Sequence, residues 1–308
     1  VSCFSMSHAE LDAVFDTVPS LAGRPRTVEE LSGGLTNRNV KVTTPDGVFV
    51  ARCTDLSGNA LEIDRDAEHL NSRAAEEAGV GAPVLDYRPD LGVLVVGFIP
   101  GRTLGRQDLR ADGMLPRVAE SCRRLHAGPR FVSDFDMFER QAGYLRTVRR
   151  EGYRIPDGYL DQAERIDRMC VALRTLAEPT VPCNNDLLAE NFVDDGEQVW
   201  LIDYEYSGNN DACFELGNIW MECRLDLDQL EELVTCYYGG PRPDKLARAR
   251  LLGTLGQYGW TLWGAIQSAV SPLDFDFWEW ALERHELALS ELNGADFERL
   301  LHDVQVSD

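Results

Sequence analysis

A chain of 308 residues with 44% apolar content is long enough to bury a large core and to divide into two lobes. Its formal charge of −22 argues against nucleic acid or an anionic membrane as a partner, because either would be repelled over much of the surface. The eight cysteines, at 3, 53, 122, 170, 183, 213, 223 and 236, form no Cys-x-x-Cys pair, and the five histidines are scattered. Reduced core thiols and no zinc site are therefore expected. No apolar run reaches bilayer-spanning length and the first residues lack a basic segment followed by an apolar core, so a cytoplasmic protein is the expectation.

In chain order, an amphipathic opening helix precedes two strands, 28–31 and 39–44, joined by Ser32-Gly33-Gly34-Leu35-Thr36-Asn37-Arg38. Pro45-Asp46-Gly47 turns the chain into a third strand, 48–53. Gly33 and Gly34 would let a tight loop press backbone N–H groups against phosphate, although an ordinary hairpin loop uses the same residues. A helix follows at about 61–78, closed by Gly79. Residues 91–99 form a continuous apolar run ending at Pro100-Gly101, as in a buried strand that leads into a short connector. That connector divides the chain into a small lobe, 1–100, and a larger one, 101–308. Beyond it the pattern is mostly helical: 115–126, 138–150, 159–177, 227–238, 243–270 and 275–292.

The chemistry concentrates in Asn185-Asp186-Leu187-Leu188-Ala189-Glu190-Asn191 and in Leu201-Ile202-Asp203-Tyr204-Glu205-Tyr206. Asp186 and Asn191 are five apart, a spacing suited to a loop that turns both side chains inward. Asp203 ends the apolar run Val199-Trp200-Leu201-Ile202, and Asp194-Asp195-Gly196 is a turn signal, so 191–193 and 199–202 should pair as a hairpin. That pairing returns Asp203 to the side of Asp186 and Asn191. Phosphoryl transfer needs such a trio: one carboxylate to orient the acceptor hydroxyl and take its proton, and two oxygen ligands for a divalent cation.

Residues 183–218, CNNDLLAENFVDDGEQVWLIDYEYSGNNDACFELGN, resemble the choline/ethanolamine kinase family, kinase-like phosphotransferases related to the aminoglycoside kinases. One position departs, since Asn184 stands where the family usually carries a histidine that scaffolds the catalytic loop. The resemblance implies an α+β, bilobal protein-kinase-like fold, with a small antiparallel β-sheet N-lobe and a mainly helical C-lobe. It implies ATP as co-substrate, Mg2+, Asp186 as catalytic base, and Asn191 and Asp203 as metal ligands. Gly33, Gly34, Thr36 and Asn37 match the family's Gly-Gly-x-(Ser/Thr)-Asn nucleotide loop. Arg52 stands where the family holds the α/β phosphates, with Glu68 as its ion-pair partner; for an arbitrary Arg and Glu, two solvated charges would be the default. The connector, including Val96 and Phe98, would meet the adenine edge.

The late tryptophans suit a cationic acceptor, because aromatic faces attract quaternary ammonium groups. Trp260 and Trp263 lie three apart on one helical face, with Trp278 and Trp280 on the next helix. Spacing alone favours core over ligand for the first pair. Choline kinases, however, carry Trp-x-x-Trp followed by Gln, as in Trp260 to Gln267, and a further aromatic matching Trp280. The same resemblance assigns Tyr206 to the pocket and Glu222 to the ammonium, while an aromatic expected near Leu227 is absent. The implied partners are ATP and choline or a related amino alcohol. Two alternatives stay open: a kinase of an aminoglycoside or other amine, whose polyamine sugars usually need several carboxylates, and a non-catalytic pseudokinase.

Overall fold

The structure, a computed structural model, describes residues 6–31, 37–54 and 63–306. Helix α1, His8–Phe15, starts at a capping box in which Ser7 and Glu10 exchange side-chain and backbone hydrogen bonds. Strands β1, Thr27–Glu30, β2, Asn37–Thr44, and β3, Gly47–Thr54, fall within a residue or two of their predicted positions. Helix α2, Arg65–Glu77, is capped by Asp64, and Gly79 supplies a positive φ of 74° after its end. Strands β4, Val84–Arg88, and β5, Val93–Gly97, complete a five-stranded sheet in the order β1-β2-β3-β5-β4, every neighbouring pair antiparallel. β4 has no sequence signal because it is a half-exposed edge strand with a register shift between Val84 and Asp86, which breaks the two-residue alternation.

Past the connector come β6, Arg102–Thr103, α3, Arg106–Leu109, α4, Met114–His126, and α5, Met137–Glu151. The helix predicted at 159–177 is a 3₁₀ turn, Leu160–Gln162, running into α6, Ala163–Thr175. Next are β7, Val181–Cys183, β8, Phe192–Asp194, β9, Val199–Leu201, and β10, Gly208–Asn210. β8 and β9 form the anticipated hairpin, with Val193 opposite Trp200, and β6 pairs with β8 on its other side. This docking needs Gly101, where a Cβ would sit 2.7 Å from the Asp194 carbonyl oxygen.

The helical remainder is α7, Ala212–Glu222, α8, Leu227–Tyr238, α9, Pro243–Val270, α10, Phe277–Leu292, and α11, Phe297–Asp303. α7 is the long element that sequence periodicity does not reveal. Its residues 213–222 are all buried, so it has no solvent-exposed polar face, and Gly217 and Asn218 lower its intrinsic propensity. α9 packs against both α7 and α10.

Two apolar clusters result. Leu11, Phe15, Val40, Val42, Ala51, Val93 and Val95 form the smaller one, between α1 and the five-stranded sheet. The larger fills the helical region and takes in Ala75 and Val80, so the apolar face of α2 belongs to it. Among the described residues no helix is long and apolar enough to cross a membrane. The described cysteines are all free thiols.

Candidate active site

The loop after β7 is held from two sides. Asn184 donates through Nδ2 to the carbonyls of Ile202 (3.1 Å) and Asp203 (2.8 Å), and its Oδ1 accepts from the Asp186 N–H at 3.1 Å. This asparagine therefore ties the loop to the β9 end with two bonds and braces the loop internally with a third, the scaffold task expected of the family's histidine. Asn191 donates to the Asp186 carbonyl at 2.7 Å, which leaves its Oδ1 without a hydrogen bond among the described residues. Asn185 and Asp203 both sit in the left-handed region, with φ of 68° and 64°. Non-glycine residues there carry strain, tolerated best by Asn and Asp.

From below, α7 offers one face, Glu215, Asn218 and Glu222, at helical spacing. The fully buried Glu215 carboxylate accepts the N–H groups of Asn184 (2.8 Å) and Asn185 (2.7 Å), and Asn218 Oδ1 accepts that of Leu187 at 2.8 Å. His126 and Cys183, distant in sequence, come within 4.8 Å of Glu215, and His126 Nδ1 meets the Tyr237 hydroxyl at 2.7 Å. The Glu215 oxygens are already engaged by the loop. Glu215→Gln should cost about 2–4 kcal/mol in denaturant melts, because one buried loop N–H would then face an amide donor. A melt within 0.5 kcal/mol of the parent would remove Glu215 as the loop's anchor.

The loop opens on a cleft of about 740 Å³ that runs from the five-stranded sheet to α9 and α10. At one end are Arg52, Glu68, Val96 and Phe98. Arg52 is buried and bridges Glu68 Oε1 (3.1 Å) and Asp203 Oδ1 (2.7 Å), far from the default of two solvated charges. Burial pulls its pKa down, but Asp203 and Glu68 more than offset this and hold it above the ordinary arginine value. The connector's Gly97 N–H donates to Pro83 and its Phe98 N–H to Val48, while the Ile99 N–H has no backbone partner among the described residues. Gly97 also packs: a Cβ there would lie 3.2 Å from the Pro83 ring.

At the centre stand Asp186, Asn191 and Asp203. At the far end are Tyr206, Glu222, Trp260, Trp263 and Trp280. Trp263 Nε1 donates to the Tyr206 hydroxyl at 2.7 Å, the Tyr206 and Trp260 rings meet edge to face at 5.1 Å, and the Trp263 and Trp280 rings lie 5.0 Å apart. Gly264 permits that closure, since a Cβ would come 2.8 Å from the Trp280 ring. Trp278 points elsewhere, under the Arg154 guanidinium, and Leu227 is exposed at the start of α8. Asn37 does not line the cleft; its Nδ2 donates to Glu205 at 2.9 Å. Gly33, Gly34 and Thr36 lie outside the described residues.

Burial, then the carboxylates of Asp203, Glu222 and Glu205, push the Asp186 pKa well above the usual carboxylate range. Glu205 is raised too, by burial and Asp203, with Arg65 pulling against them. Asp203, Glu205 and Glu68 thus crowd around two guanidinium groups, those of Arg52 and Arg65, and Asp186 adds a fourth carboxylate that feels Asp203 and Glu205. This excess of oxygen donors and negative charge suits a divalent cation of the hard, oxygen-seeking kind.

Residues 28–237, more than half of the chain, match the family model of choline/ethanolamine kinase. The chain belongs to the choline/ethanolamine kinase family. This family of kinase-type phosphotransferases includes a Mesorhizobium loti choline/ethanolamine kinase family protein whose crystal structure superposes with a TM-score of 0.86. That structure is 31% identical, over 98% of this chain and 100% of the other. Among curated family members, a probable ethanolamine kinase of Arabidopsis thaliana is 26% identical over 286 residues, 82% of this chain and 75% of that protein. Protein LicA of Haemophilus influenzae is 28% identical over 214 residues, 67% of this chain but only 61% of LicA's length.

Several residues that shape the cleft of this choline/ethanolamine kinase family member escape sequence reasoning. Glu205, which accepts from Asn37 and Arg65, lies two residues after Asp203, and that proximity is its only sequence signal. Arg284 lies four after Trp280, on the same face of α10, and that periodicity was the available signal. Glu215 had no signal, because its helix did not stand out.

Proposed function

We propose that the protein transfers the γ-phosphoryl group of ATP, with magnesium, to the hydroxyl of choline or a related amino alcohol. The observation that carries this reading is a single cleft in which Asp186, Asn191 and Asp203 stand beside the wall made by Tyr206, Trp260, Trp263 and Trp280. Asp186 orients the acceptor hydroxyl and takes its proton, a role helped by a raised pKa that makes the carboxylate a better base. Asn191, through its uncommitted Oδ1, and Asp203 would hold the metal. Bound magnesium supplies charge neutralisation at the phosphate oxygens.

Arg52, braced by Glu68, would meet the α/β phosphates; Asn37 is turned to Glu205 instead, and Gly33, Gly34 and Thr36, assigned to the same phosphates by the family motif, lie outside the described residues. The Ile99 N–H, which has no backbone partner among the described residues, is the connector donor for the adenine edge, between Val96–Phe98 and the turn at Pro100. Residues 1–100 form the nucleotide lobe and 101–308 the catalytic and acceptor lobe. Tyr206, Trp260, Trp263 and Trp280 surround the ammonium, each good cation–π contact contributing roughly 0.5–2 kcal/mol, and Glu222 lines that end of the chamber. The test is transfer of labelled phosphate from ATP across a panel of amino alcohols and aminoglycosides. Labelled phosphocholine or its lower-methylated analogues is the expected product. Labelling of aminoglycosides alone, or ligand binding without turnover of any amine, would overturn the assignment.

A further inference from the structure

The end of the cleft that suits a cation already contains one. Arg284 stacks over the Trp280 ring with its guanidinium carbon 3.5 Å from the centroid, and its side chain is 3% exposed. One terminal nitrogen donates to Glu222 Oε2 at 2.7 Å and the other to Glu283 Oε2 at 2.8 Å. The second Glu222 oxygen accepts from Gln257 Nε2 at 2.6 Å. Glu222 is therefore neutralised and both its oxygens are engaged, while one face of Trp280 is covered. The Tyr206 hydroxyl oxygen also accepts already, from Trp263.

We infer that Arg284 is a specificity-determining residue that masks Glu222 and so biases the acceptor chamber toward fully N-methylated ammonium groups over primary ones. The inference rests on the amino-alcohol reading above and sharpens it. A primary ammonium is strongly hydrated and brings three N–H donors that must find acceptors when water is stripped away. With both its oxygens engaged, Glu222 offers a primary ammonium no open acceptor, and Asp186 is reserved for the hydroxyl. A quaternary ammonium has no N–H group and needs only apolar and π surface, which the Trp263 and Tyr206 rings lining this end of the cleft supply. The planar guanidinium keeps its stack and its fork of bonds because Glu222 and Glu283 hold it from two sides.

The test uses the whole chain with two small probes, tetramethylammonium and methylammonium, followed by saturable quenching of tryptophan fluorescence and by calorimetry. In the parent, tetramethylammonium should bind at least about tenfold tighter than methylammonium, as expected for a site built of π faces. Arg284→Met frees the Glu222 carboxylate, and methylammonium should then gain about tenfold relative to tetramethylammonium. Adding Glu222→Gln to that variant should abolish the gain, and it also removes the unpaired buried charge that could unfold the single variant. Equal binding of the two probes by the parent overturns the inference, as does a gain that survives in the double variant. The proposed function fails separately: if no amino alcohol is phosphorylated, the probe preference and its dependence on Glu222 still decide the role of Arg284.

Discussion

Asp186→Asn should lower turnover by about 10²–10⁴-fold while leaving nucleotide affinity within about twofold, and should make the ligand-free protein more stable. The first effect follows from removing the base that meets the acceptor hydroxyl; the second follows from linkage. The Asp186 carboxyl has a folded-state pKa raised above its unfolded value of about 3.8 by burial and by Asp203, Glu222 and Glu205. Between those two values the folded state binds more protons than the unfolded, so stability falls as pH rises. The contribution is fully present below the unfolded value and lost once pH passes the folded one. Wherever the unfolded chain's carboxyl is ionised, folding the parent means burying that charge among other carboxylates or taking up a proton, and the neutral amide does neither.

The variant's melting temperature should therefore exceed the parent's by on the order of 2–4 °C at pH 7.5 without ligands, with the gap closing as pH approaches 4. Thermal melts at several pH values, together with steady-state ADP release, measure both effects. Parent-like turnover would remove Asp186 from the chemistry. A lower melting temperature at pH 7.5 would mean that its carboxylate is stabilised by the site rather than strained by it.

Gly217→Ala should be the most damaging small substitution in the helical region. A Cβ at this position would lie 2.1 Å from the Ala249 carbonyl oxygen and 2.7 Å from the Gly253 nitrogen. Gly253 returns the contact, with its own Cβ position 2.5 Å from the Gly217 carbonyl oxygen. These are backbone atoms of an opposing helix, which cannot rotate aside as a side chain can, so α7 and α9 must separate. The expected loss is about 3 kcal/mol in denaturant melts, at the upper end of overpacking costs. Gly240, where a Cβ meets nothing within 4 Å, is the control, and Gly240→Ala should stay within about 0.5 kcal/mol of the parent.

The functional consequence follows from what the two helices carry. α7 brings Glu215 and Asn218 to the loop and Glu222 to the chamber, while α9 brings Gln257, Trp260 and Trp263. In whatever fraction stays folded, the acceptor KM should rise by more than the nucleotide KM. If Gly217→Ala melts like Gly240→Ala, the close crossing of α7 and α9 is not what holds the chamber together.

Local chemistry was legible without coordinates. The β8–β9 hairpin could be read because a turn signal separates two apolar runs, and α8, Leu227–Tyr238, because its apolar residues recur on one face. Asp186, Asn191 and Asp203 could be picked out because their spacing confines them to one loop and one strand end. α7 and β4 were hidden for opposite reasons: the helix is buried on all sides and shows no period, and the strand is an edge too exposed and too irregular to alternate. Of the late tryptophans, spacing could not say which face the cleft and which face elsewhere; Trp280 does the first and Trp278 the second.

The amino-acid sequence by itself determined the chain's character: an acidic protein of kinase-like pattern, with a loop of oxygen-bearing side chains and a late cluster of tryptophans. These properties depend on residue type and on neighbours a few positions away, which a linear pattern records. Tertiary structure alone decided the charge state and availability of the site. The pairing of Arg52 on β3 with Asp203, 151 positions away, and of Arg284 on α10 with Glu222 on α7, 62 positions away, depends on tertiary packing that brings remote segments within 3 Å. A buried carboxylate's effect follows from which cation reaches it, and no local pattern carries that information.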